Sequence, residues 1–261
     1  MNLWLAGLLA WLAMAVLMFA LWRVQVVRRN AGLVDIAWSI GTGFCALWLI
    51  SQSPGLDLRR EVVAILALLW GSRLGSVFIR RLMSEEEDGR YRTFREQYGD
   101  KIQTFMFKFF QIQALWAVLF ALPMVAAAQN GQPFGALDIV GIAIWILAIG
   151  GETIADNQLA RFKKDPSSKG QVCKVGLWRY SRHPNYFFEW LHWFSYFFLA
   201  IGGSWWPVAL GGVLIMYWFL NKVTGIPYTE AQSLKSRGDA YREYQRTTSP
   251  FFPRPPKESG A

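Results

Sequence analysis

A chain of 261 residues that is 53% hydrophobic, carries 14 Trp and has a positive mean hydropathy is too apolar for one or two soluble domains. Several of its runs approach the ~20 apolar residues needed to cross a bilayer. The net charge of +9 therefore reads as basic residues gathered beside a membrane, and nucleic acid is set aside because aromatic and basic residues do not interleave outside the membrane flanks.

In chain order, Leu3 to Trp22 is the first expected span. It lacks a basic start and is long for a signal peptide. Arg23, Arg28 and Arg29 follow it. Leu33 to Ile50 is the second span, with Asp35 near its start. A short loop holds Pro54, Gly55, Arg59 and Arg60. Glu61 to Met83 is the third span, with Arg73 near its middle. Ser84 to Lys101 reads as a charged loop, and Thr104 to Ala128 as the fourth span. Gly135 to Thr153 is the fifth and ends near Glu152 and Asp156. Arg161 to Arg182 reads as a second basic loop, Tyr186 to Ile201 as the sixth span and Trp205 to Leu220 as the seventh. The tail from Tyr228 to Arg246 sets charges at helical spacing, then closes on SPFFPRPP, which cannot continue a helix.

Lys and Arg gather after the first, third and fifth spans and in the tail, whereas the opposite side holds only Arg59 and Arg60. The asymmetry predicts an all-α integral membrane bundle of seven transmembrane helices, amino terminus outside and carboxyl terminus cytoplasmic. No internal repeat suggests an inverted-repeat transporter. The two cysteines, Cys45 and Cys173, exclude a disulfide framework, and with two histidines in the chain no metal site is expected.

The stretch from Gly176 to His192, GLWRYSRHPNYFFEWLH, concentrates polar side chains at the expected mouth of the sixth span. Pro184 suits the first turn of a helix. The free N–H groups there, with Arg179, Arg182 and His183 beside them, suit a phosphate or another anion. An interfacial helix start anchored by Arg and Tyr in the headgroups is the alternative. Asp35, Arg73, Glu152 and Glu189 fall in or near spans, where an isolated charge is costly, so each must be paired or face a polar cavity. Asp35 and Arg73 are placed to pair. Glu189 and His192 are three apart and share a helix face. Asp156 is suited to a ribose or an amide, and Arg161, Lys163 and Lys164 to phosphates. In the tail, Glu230, Tyr241 and Tyr244 join this set, with interfacial packing the alternative for the tyrosines. No glycine-rich Rossmann or Walker loop is present, so any nucleotide must be held by membrane helices and their loops.

The stretches LVDIAWSIG, LLWGSRL, RYRTFREQYG, ETIADNQLARFKKDP, GLWRYSRHPNYFFEW and the tail TGIPYTEAQ to TTSPFFP resemble a bacterial family of membrane proteins within the steroid 5-alpha-reductase superfamily, with its C-terminal 3-oxo-5-alpha-steroid 4-dehydrogenase-like domain. The resemblance runs from about residue 30 to residue 253. It implies one membrane-embedded domain over residues 1–261 in a bacterial inner membrane, with a cofactor-binding half over about 136–253. NADPH would give a hydride to a carbon–carbon double bond conjugated to a ketone in a steroid-like or prenyl substrate. Asn185 and Glu189 match nucleotide-contacting positions, Asp156 the acidic residue at the end of the preceding helix, and Asp35 the catalytic glutamate. Trp70 falls at the place of the catalytic tyrosine, with Arg73 one turn on, and an indole is not a titratable acid. The expected catalytic residues are Asp35 and Arg73. The expected cofactor set is Asp156, Arg161, Lys163, Trp178, Arg179, Tyr180, Arg182, His183, Asn185, Tyr186, Glu189, Glu230, Tyr241 and Tyr244. RHPNY and the YREY to FFP tail are also similar to integral-membrane methyltransferases that act on isoprenylcysteine or phospholipid amines with S-adenosylmethionine. That chemistry is the alternative, and a lipid-binding or transport protein is the non-enzymatic one. The lipophilic substrate and the bilayer are the expected partners.

Overall fold

The computed structural model describes residues 1–84 and 87–257, Ser84 without its side chain. Glu85 and Glu86 of the expected charged loop lie outside the described residues. The chain divides into two compact units, Met1–Gly135 with Leu199–Ala209, and Ala136–Phe198 with Leu210–Ala261.

The first unit holds α1 (Leu3–Arg28), α2 (Leu33–Ser51), α3 (Asp57–Ser84), α4 (Gly89–Tyr98) and α5 (Ile102–Ala128). Asn2 caps α1, its Oδ1 accepting from the Trp4 N–H at 2.9 Å, and Arg29 closes the helix in the left-handed conformation. α2 and α3 lie backbone against backbone. A Cβ on Gly71 would sit 2.7 Å from the Ser39 carbonyl oxygen, and one on Gly43 would sit 3.1 Å from that of Ala67. Small residues permit this approach, and dispersion replaces the hydrophobic effect as the force between apolar helices in lipid. α5 adds the buried Ala114, Ala117 and Ala121 along one face and a last turn, Ala126, Ala127 and Ala128, buried all round. Trp38 packs edge-on against both Trp70 and Phe120, at 6.1 and 5.7 Å between ring centroids. At the far end Arg59, 1% exposed, donates to the carbonyls of Asn130, Gln132 and Pro133 in the turn after α5.

The second unit holds α6 (Ala136–Lys164), a 3-10 turn at Gly176–Arg179, most of α7 (Pro184–Ala200) and most of α8 (Trp206–Trp218), which runs into a π-turn at Phe219–Val223, and then α9 (Ile226–Arg237) and α10 (Asp239–Thr247). Here large side chains separate the helices. The Phe188 ring of α7 fills the place where a Cβ on Gly151 of α6 would stand. The Trp190 indole donates to the Val213 carbonyl of α8 at 3.2 Å.

Two expected loops are partly helical. Gly89–Tyr98 forms α4, because Asp88 caps it by accepting from the Arg90 N–H. α6 continues through the start of the expected basic loop to Lys164. Arg161, Lys163 and Lys164 sit in its last turn, where cations favour the helix dipole.

Among the described residues, six helical stretches are long and apolar enough to cross a membrane: Leu3–Arg28, Leu33–Ser51, Asp57–Met83, Gly89–Ala128, Ala136–Lys164 and Trp206–Arg237. The protein is thus an all-helical, multi-pass membrane protein. The expected sixth span is α7, which at 17 residues is the shortest of the expected spans but one. It rises about 26 Å, a little under the ~30 Å hydrocarbon thickness.

Candidate functional site

In the second unit the polar side chains gather where the chain enters α7. Gly176 has φ +56°, a left-handed conformation, and the Gln158 amide occupies the space a Cβ would need. Gln158 Oε1 accepts from the Leu177 N–H at 2.9 Å, and the buried Trp178 indole donates to the Ala155 carbonyl at 2.9 Å. The turn is therefore fixed to α6. Pro184 then opens α7 without leaving an amide unsatisfied.

Four of the expected cofactor residues, Arg182, His183, Tyr186 and Glu230, meet here. Arg182, 8% exposed, donates through Nε to Glu230 Oε1 at 2.6 Å and through Nη1 to the carbonyls of Gln245 and Thr248 at 3.0 and 2.6 Å. His183 Nε2 lies 3.2 Å from the same Glu230 oxygen, and its ring stacks on Tyr186 at 5.4 Å. Gln245 donates to the other Glu230 oxygen at 2.8 Å. Burial pushes the His183 imidazole below its ordinary value of 6.5; the Arg182 charge adds to this, and Glu230 opposes it without reversing it.

The same stretch grips the tail. Ser181 Oγ donates to the Phe251 carbonyl at 2.8 Å, the Arg182 N–H to the Ser249 carbonyl at 2.9 Å, and the Arg254 N–H to the Tyr180 carbonyl at 2.9 Å. The Tyr244 hydroxyl donates to the Trp178 carbonyl, and Tyr241 packs edge-on against Tyr244 at 5.8 Å. Burial raises the Tyr244 hydroxyl well above its ordinary range. Phe251 and Phe252 pack on Phe187 and Trp190. Arg182, Ser181 and Tyr244 thus bind the tail to the start of α7.

A second group stands apart from this clamp. The Asn185 amide donates to Asp156 Oδ1 at 3.1 Å, and both residues are half-buried. Glu189, 7% exposed and one turn along α7, accepts from the Trp193 indole at 3.1 Å. Arg161, Lys163, Arg179 and Tyr180 are exposed. A carboxylate, an amide and exposed cations offer acceptors and donors for hydroxyls and a positive field for anions.

In the first unit, Asp35 pairs not with Arg73 but with the first turn of α4. Its Oδ2 accepts from Arg90 Nη2 and its Oδ1 from the Tyr91 hydroxyl, both at 2.9 Å. The choice follows from α4: its capping residue Asp88 holds Arg90 Nε at 3.1 Å and turns the guanidinium toward α2. Burial alone would raise the Asp88 carboxyl, but the charge and hydrogen bonds of Arg90, with the charge of Arg81, hold it below its usual range. A cleft of about 20 Å³, room for one water, opens here among Asn30, Gly32, Asp35, Phe78, Arg81 and Asp88. Trp70 is fully buried in the aromatic core, and Arg73 is half-buried in α3. Tyr91 and Gln245 carry bonds that the sequence reading did not assign. The signal for Tyr91 was the D-x-R-Y spacing, which sets a cap, a cation and a phenol on one helical turn.

The chain belongs to the family described as a protein of unknown function, DUF1295, which matches residues 21–248. It is 30% identical over 267 residues to the uncharacterized protein C594.04c of Schizosaccharomyces pombe, covering 90% of this chain and 76% of that relative. No solved structure matches it.

Proposed function

We propose that the protein is an NADPH-dependent membrane reductase that transfers a hydride to a carbon–carbon double bond conjugated to a ketone in a lipophilic substrate. The single observation that carries the reading is the half-buried Asp156–Asn185 pair at the mouth of α7, with buried Glu189 one turn behind it. The donor set fits a dinucleotide. Asp156, Asn185 and Glu189 would hold sugar hydroxyls and an amide, and Arg161, Lys163 and Arg179 the phosphates. Arg182, His183, Glu230 and Tyr244 act one step back, keeping the tail and the α7 entry in place. When bound, NADPH supplies the hydride. In the first unit Asp35 orients Arg90, whose guanidinium has further N–H groups suited to a ketone oxygen, and Arg73 is a further guanidinium of that kind. We place the protein in a bacterial inner membrane with α7 as a seventh span and the basic segments in the cytoplasm.

The test is a binding titration in detergent with NADPH, NADH and S-adenosylmethionine in parallel. NADPH should saturate preferentially, and Asn185→Ala should weaken it by about tenfold, the loss of one buried hydrogen bond. Saturation by S-adenosylmethionine alone overturns the reading in favour of methyl transfer.

A further inference from the structure

α7 carries a polar stripe that continues beyond Asn185 and Glu189, the two residues assigned to the cofactor. Asn185, Glu189, His192 and Tyr196 follow one another at spacings of four, three and four, so all four share one face of the helix. Asn185 is half-buried, Glu189 is 7% exposed, and His192 and Tyr196 are fully buried. The stripe therefore runs from the mouth of the helix into its closed interior, about 10 Å between Glu189 and Tyr196 by helical rise.

His192 stands between two oxygens. Its Nε2 lies 3.2 Å from the Tyr196 hydroxyl and its Nδ1 3.9 Å from Glu189 Oε1. The first is a hydrogen bond; the second becomes one with a side-chain shift of about 1 Å. α6 adds the buried Glu152 and, against Tyr196, Trp145; at the mouth Asp156 bonds Asn185. A histidine that only filled space would need a partner on one nitrogen. Two ionisable side chains and a phenol in line on a helix of this depth are costly as packing alone.

We propose that Glu189, His192 and Tyr196 form a proton relay along α7. A proton on the Glu189 carboxyl passes to His192 Nδ1 while the Nε2 proton passes to the Tyr196 oxygen, whose own hydroxyl proton moves on. Two O–H bonds (Glu189, Tyr196) and one N–H bond (His192 Nε2) break; one N–H bond forms at His192 Nδ1, one O–H bond at Tyr196 and one bond to hydrogen at the final acceptor, and no electrons are transferred. The ring is left in its other tautomer and resets by rotation. The path rests on this geometry alone. Its final acceptor rests on the reductase reading: hydride addition to an enone leaves an enolate, which must take up one proton to become the saturated ketone. The three are positioning residues for that step.

The chain has two histidines, so histidine-selective 15N labelling gives two imidazole signals, and His183→Gln assigns them. A relay predicts that the His192 N–H exchanges with water quickly although the residue is fully buried, and that exchange slows by roughly tenfold or more in Glu189→Gln. Tyr196→Phe should slow it as well, with the melting temperature of each variant recorded alongside. A long-lived His192 N–H in the native protein, or exchange unchanged in both variants, overturns the relay. This readout needs neither cofactor nor turnover, so a failure to bind NADPH sinks the reductase reading and leaves the relay standing.

Discussion

The two units hold themselves together by different means. In the first, backbones touch. Gly43 and Gly71 bring α2 and α3 so close that a single methyl group would press on a carbonyl oxygen, and the alanines of α5 close the third side. In the second, side chains bridge wider gaps. Arg182 spans from the start of α7 to α9, α10 and the tail, and Trp178 and Gln158 fasten the entry turn to α6. Close apposition is tolerant of charge changes at a distance and intolerant of volume. A hydrogen-bonded clamp is the reverse. The unit that carries the candidate cofactor residues is the clamped one, which suits a site whose polar groups must hold fixed directions.

The contrast can be broken most forcefully at Arg182. Arg182→Ala takes the cation from Glu230 and the side-chain donor from two carbonyls, and about 3–5 kcal/mol of stability should go. The melting temperature in detergent should fall steeply, and proteolysis should begin in the tail. A tail as protected as in the native protein would show that the clamp is not what holds it.

Gly71→Ala should cost about 2 kcal/mol, because the new methyl meets the Ser39 carbonyl at 2.7 Å. Gly150→Ala in α6 is the control: a Cβ there meets nothing within 4 Å, so removing a helix glycine should be neutral or slightly stabilising. Equal melting temperatures for the two would erase the distinction between the units.

Tyr91→Phe removes one of the two bonds to Asp35 and should cost about 1.5 kcal/mol, as for other bonds to a charged acceptor. Arg73→Gln should not reproduce this loosening of α4, since Asp35 is held by Arg90 and Tyr91. Hydrogen exchange across residues 88–98 reads both.

The smallest effect is on pH dependence. His183 is buried and held below its ordinary value of 6.5, so the folded protein keeps it neutral where the unfolded chain takes up a proton. Stability is therefore full above about 6.5 and falls as the pH drops below it, by about 1.4 kcal/mol per unit at most, until the folded value is reached. His183→Gln should flatten that slope in a melting series from pH 7.5 to 5.

Much of the long-helix layout was readable, since runs of apolar residues report directly on burial in lipid. The two loops that proved helical were not, for different reasons. In residues 89–98 the charges outweigh the apolar residues, and the helix is held from outside: Phe94 and Tyr98 pack on Phe105 of α5, and Arg95 on Glu87. At the end of α6, cations that read as a cytoplasmic loop are also what a helix carboxyl end favours. The partner of Asp35 was out of reach, because it depends on where the chain returns after α3. The sequence marks Asp156, Asn185 and Glu189 as polar groups beside an apolar run, and the structure places them half-buried or buried near one helix entry, whereas the tail-binding use of Arg182 and Tyr244 required knowing where residues 245–254 lie.

Arg59 bears on how sidedness is assigned. A tally of positive residues scores it as one of two cations opposing the basic face, yet its guanidinium is shut away among carbonyl groups of residues 130, 132 and 133. Its neighbour Arg60 is likewise drawn onto Asp57 and the end of α2. Arg59, at least, is not on the surface that such a tally is meant to weigh. Neutralising Arg59 should thus unpick the turn after α5 without reversing the chain's direction of insertion, which separates, at one position, the code for threading from the code for assembly.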